Sequence, residues 1–185
     1  MSSLLISDDY KRQQEYLHEN TVYGTASIEY APLVAEIVNN LGVSELLDYG
    51  CSARCNLIKT INEKRLVKHQ FKYIPYDPAV ERFSETPTPT EMVACIDVLE
   101  HIEPDLLENV LNDLERVTEV VGVFTVHCGP AAKVLQDGRN AHLIQKPSEW
   151  WLPKIMERFD LQSFARTEHG FTVVCYARGI ELGSH

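Results

Sequence analysis

Several features are scarce or missing in this sequence, and each absence excludes a class of protein. No apolar run is long enough to span a bilayer, and the N-terminus, MSSLLISDDYKRQQEY, lacks the basic region and the extended apolar stretch of a secretory signal. Basic residues are few: 17 Lys and Arg against 27 Asp and Glu give a formal charge of −10. A field of this sign repels nucleic acid. We therefore expect neither a membrane nor a nucleic-acid partner.

The cysteines show no disulfide pattern. There are five, an odd number, which favours a reducing cytoplasmic location. Cys51 and Cys55 do not have a common zinc-ligand spacing, so no metal site is predicted. Cys51, Cys95 and Cys128 are interpreted as small buried apolar residues, and a thiol-rich site that they form with His127 is the open alternative.

Familiar catalytic motifs are also missing. The sequence contains no G-x-S-x-G nucleophile turn and no G-x-x-x-x-G-K-[ST] phosphate loop. The turn that follows the first predicted strand lacks G-x-G-x-x-G, which makes a dehydrogenase a poor interpretation.

The length of 185 residues predicts one domain over 1–182, with residues 1–28 as an N-terminal arm. We interpret residues 183–185, Gly-Ser-His, as a tag remnant. Apolar residues recur at helical spacing over about 29–41, 53–67, 105–117 and 148–158, and short apolar strands lie between and after these segments. This alternation predicts an α/β fold, a Rossmann-like three-layer sandwich whose mostly parallel sheet has about seven strands and an antiparallel edge strand.

Polar residues stand where several of these strands end. Asp48, Asp77 and Asp97 each close a predicted strand, and His127 closes another. Ligands of open α/β sheets bind beyond the carboxyl ends of the strands. We therefore expect these side chains to share one cleft.

Three segments resemble motifs of the class I S-adenosylmethionine-dependent methyltransferases, and the resemblance runs from about Tyr23 to Arg178. LLDYGC is similar to the family's first motif, acid-x-Gly-x-Gly-x-Gly. YIPYDPA resembles the second motif, in which an acid holds ribose hydroxyls. VACIDVLEHI resembles the run that follows the family's fourth strand and is the most specific of the three.

The resemblance implies S-adenosylmethionine as cofactor and a small-molecule or saccharide-like methyl acceptor. Gly50 would allow close backbone approach, Asp77 would bind the ribose hydroxyls, and Asp48 would face the cofactor's amino group. The implied cofactor-binding residues are Asp48, Gly50, Cys51, Ser52, Asp77, Pro78, Asp97 and Val98.

The acceptor is expected near the loop that follows the strand ending at His127. His142 is the candidate catalytic base, and a structural or surface histidine is the alternative. Trp150 is either an acceptor contact or, with Trp151, an anchor for the last helix. His101 is expected to pack or cap beside a helix start. The candidate substrate-binding residues are Tyr23, Arg139, Asn140 and Trp150.

Two glycines of the first motif are replaced, by Ser52 and Arg54. Three interpretations of Arg54 stay open: it pairs with the cofactor's carboxylate, it points into solvent, or it blocks the pocket. The function therefore has two candidate forms. One is an active methyltransferase, and the other is a methyltransferase-like binding or scaffolding protein without methyl transfer.

Overall fold

The structure, a computed structural model, describes residues 4–21 and 25–180. The α-helices of the described residues are α1 (Asp8–Asn20), α2 (Ala26–Leu41), α3 (Asn56–Glu63), α4 (Leu107–Val117) and α5 (Ser148–Met156). The strands are β1 (Glu45–Tyr49), β2 (Lys72–Tyr76), β3 (Thr90–Ile96), β4 (Thr118–His127), β5 (Phe159–Arg166) and β6 (Gly170–Ala177). Short 3₁₀ turns connect some of these elements.

The strands form one mixed sheet in the order β2-β1-β3-β4-β6-β5. The first four strands in this order are parallel to one another, and β6 is antiparallel to both β4 and β5. The predicted α/β architecture is confirmed, with six strands in the described residues instead of about seven. The antiparallel strand, β6, lies one position inside the edge. Residues 128–147, which are long enough to hold a further strand, form a loop that contains Pro130 and Gly138.

The sheet separates two apolar cores, which makes the structure three-layered. Successive residues of β1 point to opposite faces: Leu46 joins the core under α2 and α3, and Leu47 joins the core under α4 and α5. Trp151 is fully buried in the second of these cores. The interpretation that one tryptophan anchors the last helix is therefore confirmed for Trp151.

Local sequence signals explain where the helices begin and end. The hydroxyl of Ser7 accepts a hydrogen bond from the backbone N–H of Tyr10 at 3.2 Å and caps α1. Gly42 ends α2 in a left-handed conformation, with φ of 64°. The helix expected over 53–67 is shorter because Cys55 and Arg65 adopt left-handed conformations at its two ends.

No helix among the described residues is long and apolar enough to cross a membrane.

Candidate functional site

A cavity of about 340 Å³ lies beyond the carboxyl ends of the parallel strands. Gly50 follows β1, Asp77 follows β2, Asp97 follows β3 and His127 ends β4, and all four line the cavity. The predicted convergence at this edge is confirmed for these residues. The volume lies in the range of small-molecule sites, about 300–1,000 Å³.

The first strand-to-helix turn keeps the backbone of a glycine-rich loop. Gly50 has a φ of 84°, Ser52 has 55° and Cys55 has 47°. A β-carbon on Gly50 would stand 2.4 Å from Cγ2 of Val98, so position 50 requires glycine for both conformation and space. Ser52 adopts a conformation that costs a residue with a side chain about 1–2 kcal/mol.

The Asp77 carboxylate is fixed at the cavity wall. Its Oδ2 accepts a hydrogen bond from the N–H of Ser52 at 3.0 Å, and its Oδ1 accepts one from the N–H of Ala79 at 2.9 Å. Nε2 of His18 lies 3.9 Å from Oδ2. Burial raises the pKa of Asp77, and His18 and the two N–H groups oppose that rise. The carboxylate is thereby oriented before any ligand arrives. Pro78, the next residue, also lines the cavity.

Asp48, the acid of the first motif, does not line the cavity. Its Oδ2 accepts a hydrogen bond from the hydroxyl of Tyr73 at 2.5 Å, and the residue is 3% exposed. Burial raises the pKa of Asp48 to about 7. The expected contact with the cofactor's amino group has no support from this geometry, because the side chain points to the same face of the sheet as Leu46.

Neither Arg54 nor Cys51 is part of the cavity wall. Arg54 is exposed, which rules out the interpretation that it blocks the pocket. Cys51 is buried next to Cys55, and a hydrogen bond from Cys51 lowers the pKa of Cys55 to about 6. The cavity wall in this turn is formed by Gly50 and Ser52 instead.

Helix α1 covers the cavity, a position that the sequence patterns do not predict. Tyr10, Gln14 and His18 line the cavity from this helix. The hydroxyl of Tyr10 donates to the backbone oxygen of His101 at 2.5 Å, which ties the helix to the segment after β3. The spacing of Tyr10 and Leu17 signals a buried helix face, but it does not show what the face covers.

Asp97 and Val98 form the wall that follows β3. Asp97 has a φ of 50°, and its Oδ1 accepts a hydrogen bond from the hydroxyl of Thr125. Burial raises the pKa of Asp97. Both residues line the cavity, and the side chain of Val98 packs on Gly50. The turn after β1 and the segment after β3 thus contact each other directly.

Three of the histidines that line the cavity lie next to one another. The ring of His142 lies 4.6 Å from that of His101 and 4.8 Å from that of His127, between ring centroids. Burial lowers the pKa of His142, and burial followed by the proximity of His142 lowers that of His101. Glu100 is 0% exposed, and one potential ligand atom from each of Glu100, His101 and His142 lies within 4.8 Å of the other two.

The substrate candidates among the described residues, Arg139, Asn140 and Trp150, do not line this cavity. Arg139 is exposed and forms an ion pair with Asp137 at 2.6 Å. The amide of Asn140 bonds to both backbone groups of Ala131, so it shapes the loop. Trp150 lines a separate groove of about 200 Å³. Tyr23 lies outside the described residues.

Comparisons with known proteins agree with this architecture. No family model and no curated protein matches the sequence. A Burkholderia thailandensis 1,6-didemethyltoxoflavin-N1-methyltransferase, solved with S-adenosylhomocysteine, is similar with a TM-score of 0.61 at 12% identity, over 96% of this chain and 92% of that one. Synechocystis magnesium protoporphyrin IX methyltransferase, solved with S-adenosylmethionine, gives a TM-score of 0.55 at 12% identity, over 95% and 100%.

The similarity extends to larger proteins. TnmH gives a TM-score of 0.54 at 13% identity over 82% of this chain, which spans 55% of the length of TnmH. Identities this low establish the architecture and leave the activity to the site. On this evidence the chain has the fold of the class I S-adenosylmethionine-dependent methyltransferases.

Proposed function

We propose that this protein transfers a methyl group from S-adenosylmethionine to a small-molecule acceptor. One observation carries the proposal: Gly50, Asp77 and His142 line the same cavity. Position 50 has no room for a side chain, and the carboxylate of Asp77 is oriented by backbone hydrogen bonds. These two residues suit an adenosyl group, and His142 suits a reacting acceptor. A cytoplasmic location is part of the proposal, since the described cysteines are all free thiols.

The residues present fit the cofactor. The bare backbone at Gly50 admits close approach, and Asp77 would accept hydrogen bonds from the ribose hydroxyls. Asp97, Val98 and Pro78 would line the nucleoside. S-adenosylmethionine supplies a sulfonium-bound methyl group that is electrophilic without metal or redox chemistry.

The chain's main contribution to catalysis would be alignment. Methyl transfer is an in-line displacement, so holding the acceptor atom, the methyl carbon and the sulfur in line lowers the barrier. Helix α1, through Tyr10 and His18, would cover the two ligands and exclude water. His142, which lines the same cavity as Asp77, would contact the acceptor.

The acceptor is not selected by the fold. The similar structures include enzymes for a toxoflavin precursor and for magnesium protoporphyrin IX, which differ greatly in size. The loop of residues 128–147, which carries His142, is the part of this chain that we expect to select the acceptor.

Calorimetric titration with S-adenosylmethionine and S-adenosylhomocysteine tests the proposal. The wild type should bind both, and Asp77→Asn should bind at least about tenfold more weakly, because an amide cannot accept at both of its heteroatoms. Asp160→Asn is the matched control, since Asp160 is exposed on β5. Failure of the wild type to bind either compound at about 1 mM would defeat the proposal.

The alternative of a binding protein without methyl transfer rests on Ser52 and Arg54. The exposed position of Arg54 and the left-handed backbone of Ser52 weaken this alternative, since neither closes the cavity. It predicts that affinity for S-adenosylhomocysteine appears only after Ser52→Gly and Arg54→Gly. Binding by the wild type itself would exclude that outcome.

A further inference from the structure

Two imidazoles that line the cavity converge with a fully buried carboxylate. One ligating atom from each of Glu100, His101 and His142 lies within 4.8 Å of the other two. Neighbouring ligands of a cation that is bound at about 2.1 Å are about 3.0–3.4 Å apart in octahedral or tetrahedral geometry. The three groups would therefore have to close in by up to about 1.5 Å to bind one divalent ion.

The histidine rings are already oriented for this role. Nδ1 of His101 lies 2.8 Å from the backbone oxygen of Ala141, and Nδ1 of His142 lies 2.7 Å from that of Gly129. A carbonyl oxygen only accepts, so the proton of each ring sits on Nδ1 and the lone pair on Nε2. Metal-binding histidines almost always donate their second N–H in this way.

Glu100 supplies the independent observation. Its side chain is fully buried, and Oε1 accepts a hydrogen bond from the N–H of His127 at 2.9 Å. Within the described part of the chain, Oε2 has no hydrogen-bond partner. A buried carboxylate oxygen without a partner is costly, and a cation beside it would remove that cost.

The backbone holds these ligands together across a large sequence separation. Glu100 and His101 lie in the 3₁₀ turn that follows β3, and His142 comes from the loop after β4. The N–H of Ile144 donates to the backbone oxygen of Glu100 at 3.0 Å, which fastens the loop to the turn. The cluster is thus preorganised by bonds that do not involve the ligating atoms.

We propose that Glu100, His101 and His142 bind one divalent first-row transition-metal ion. Two imidazoles with one carboxylate favour ions such as Mn²⁺, Co²⁺ or Zn²⁺ over the all-oxygen sites of Mg²⁺ and Ca²⁺. This assignment replaces the general-base role that the sequence predicted for His142.

The open coordination positions would face the cavity, because His101 and His142 line it. This step rests on the proposed function: the ion binds the acceptor through oxygen, which makes the acceptor a hydroxyl compound. The ion lowers the pKa of that hydroxyl. Its proton is lost to water as the acceptor binds the ion, before α1 covers the ligands. The oxygen's electron pair then forms the bond to the methyl carbon, and the pair of the broken carbon–sulfur bond stays on sulfur.

Titration of the chelator-treated full chain with CoCl₂ alone, followed by visible absorption, tests the site. One Co²⁺ per chain should bind, and Glu100→Gln and His142→Gln should each weaken binding by about tenfold or more. His169→Gln is the matched control, because His169 is an exposed histidine that stacks on His127 without joining the cluster. Its Co²⁺ affinity should equal that of the wild type.

Three results would overturn the metal site: no Co²⁺ binding by the wild type, wild-type affinity in Glu100→Gln, or an equal loss in His169→Gln. Far-UV circular dichroism shows whether the variants fold. If Glu100→Gln does not fold, the Co²⁺ affinity of His142→Gln decides whether the site exists. Catechol, a chelating hydroxyl compound, should change the spectrum of the Co²⁺ protein, and an unchanged spectrum would refute an ion whose open coordination positions face the cavity. Because the titration needs no cofactor, it is independent of the S-adenosylhomocysteine measurement: either can fail while the other succeeds.

Discussion

Val98 packs so closely over Gly50 that a β-carbon on the glycine would stand 2.4 Å from Cγ2 of the valine. The two residues come from different strand ends, β1 and β3, and meet in the wall of the cavity. Real β-carbons do not approach other atoms this closely, so any side chain at position 50 must displace Val98 or the loop. The close approach of these two cavity walls therefore depends on one glycine.

We expect Gly50→Ala to destabilise the protein by about 2 kcal/mol or more and to abolish cofactor binding, because strain at φ of 84° adds to the clash with Val98. Gly42→Ala is the control, since Gly42 also has a positive φ but nothing lies within 4 Å of its added β-carbon. Urea unfolding should show a smaller loss in Gly42→Ala, with S-adenosylhomocysteine binding intact. Equal losses in the two variants would contradict the packing argument.

Ser52→Gly should raise the free energy of unfolding by up to about 1 kcal/mol. Glycine removes the strain of a left-handed residue, about 1–2 kcal/mol, and part of this gain is offset by the greater entropy of the unfolded chain. Arg54→Gly should give no such gain, because Arg54 is exposed and does not have a positive φ. Chemical unfolding of both variants checks the difference, and a larger gain in Arg54→Gly would refute it.

The sequence predicts the edge of the sheet where the site lies better than it predicts individual side chains. Gly50, Asp77 and Asp97 follow parallel strands, and the carboxyl ends of such strands meet, so their proximity follows from chain order. Asp48 was placed at the same edge, but strand alternation turns it to the face of Leu46. The alternation of side chains along β1 can be read from the sequence. It predicts the direction of the Asp48 side chain better than the position of Asp48 at the strand end does.

Local sequence patterns do not predict the contacts between distant segments that complete the cavity. His18 reaches Asp77 only because α1 docks on the cavity, and this docking depends on long-range contacts such as that between Tyr10 and His101. The grouping of Glu100 with His142 depends on how the loop of residues 128–147 folds back. Neither arrangement follows from spacing along the chain.

Cys55 should be the thiol that reacts most readily at neutral pH. A hydrogen bond from Cys51 lowers its pKa to about 6, and Tyr73, Arg82 and Lys59 add to this, whereas burial raises the pKa of Cys128. Both residues are partly exposed, so they form a matched pair. The thiolate is the reactive form. Iodoacetamide labelling followed by mass spectrometry should therefore modify Cys55 before Cys128 at pH 7.

The labelling rate of Cys55 should rise between about pH 5 and 7 and then level off. Cys55→Ser should remove the fast reaction and leave the slow labelling of Cys128 in place. Earlier labelling of Cys128, or a rate that rises only above pH 8, would contradict the assignment.

Asp48 should make the protein less stable as the pH rises from about 4 to 7. Burial raises its pKa to about 7, from 3.8 in the unfolded chain, so in this interval the folded state holds a proton that the unfolded state has lost. Raising the pH then favours unfolding by about 1.4 kcal/mol per unit. The stabilisation is complete below pH 4 and is lost as the pH passes 7.

Asp48→Asn isolates this contribution, because the amide oxygen can still accept the hydrogen bond from Tyr73 but does not titrate. Its free energy of unfolding, measured in urea between pH 5 and 7, should fall less steeply than that of the wild type, by about 1 kcal/mol per unit. Asp160→Asn, which changes an exposed carboxyl, should follow the wild-type slope. Parallel curves for the wild type and Asp48→Asn would mean that Asp48 is ionised in the folded protein. Its buried negative charge would then need a neighbouring positive charge, in addition to the hydrogen bond from Tyr73, to stabilise it.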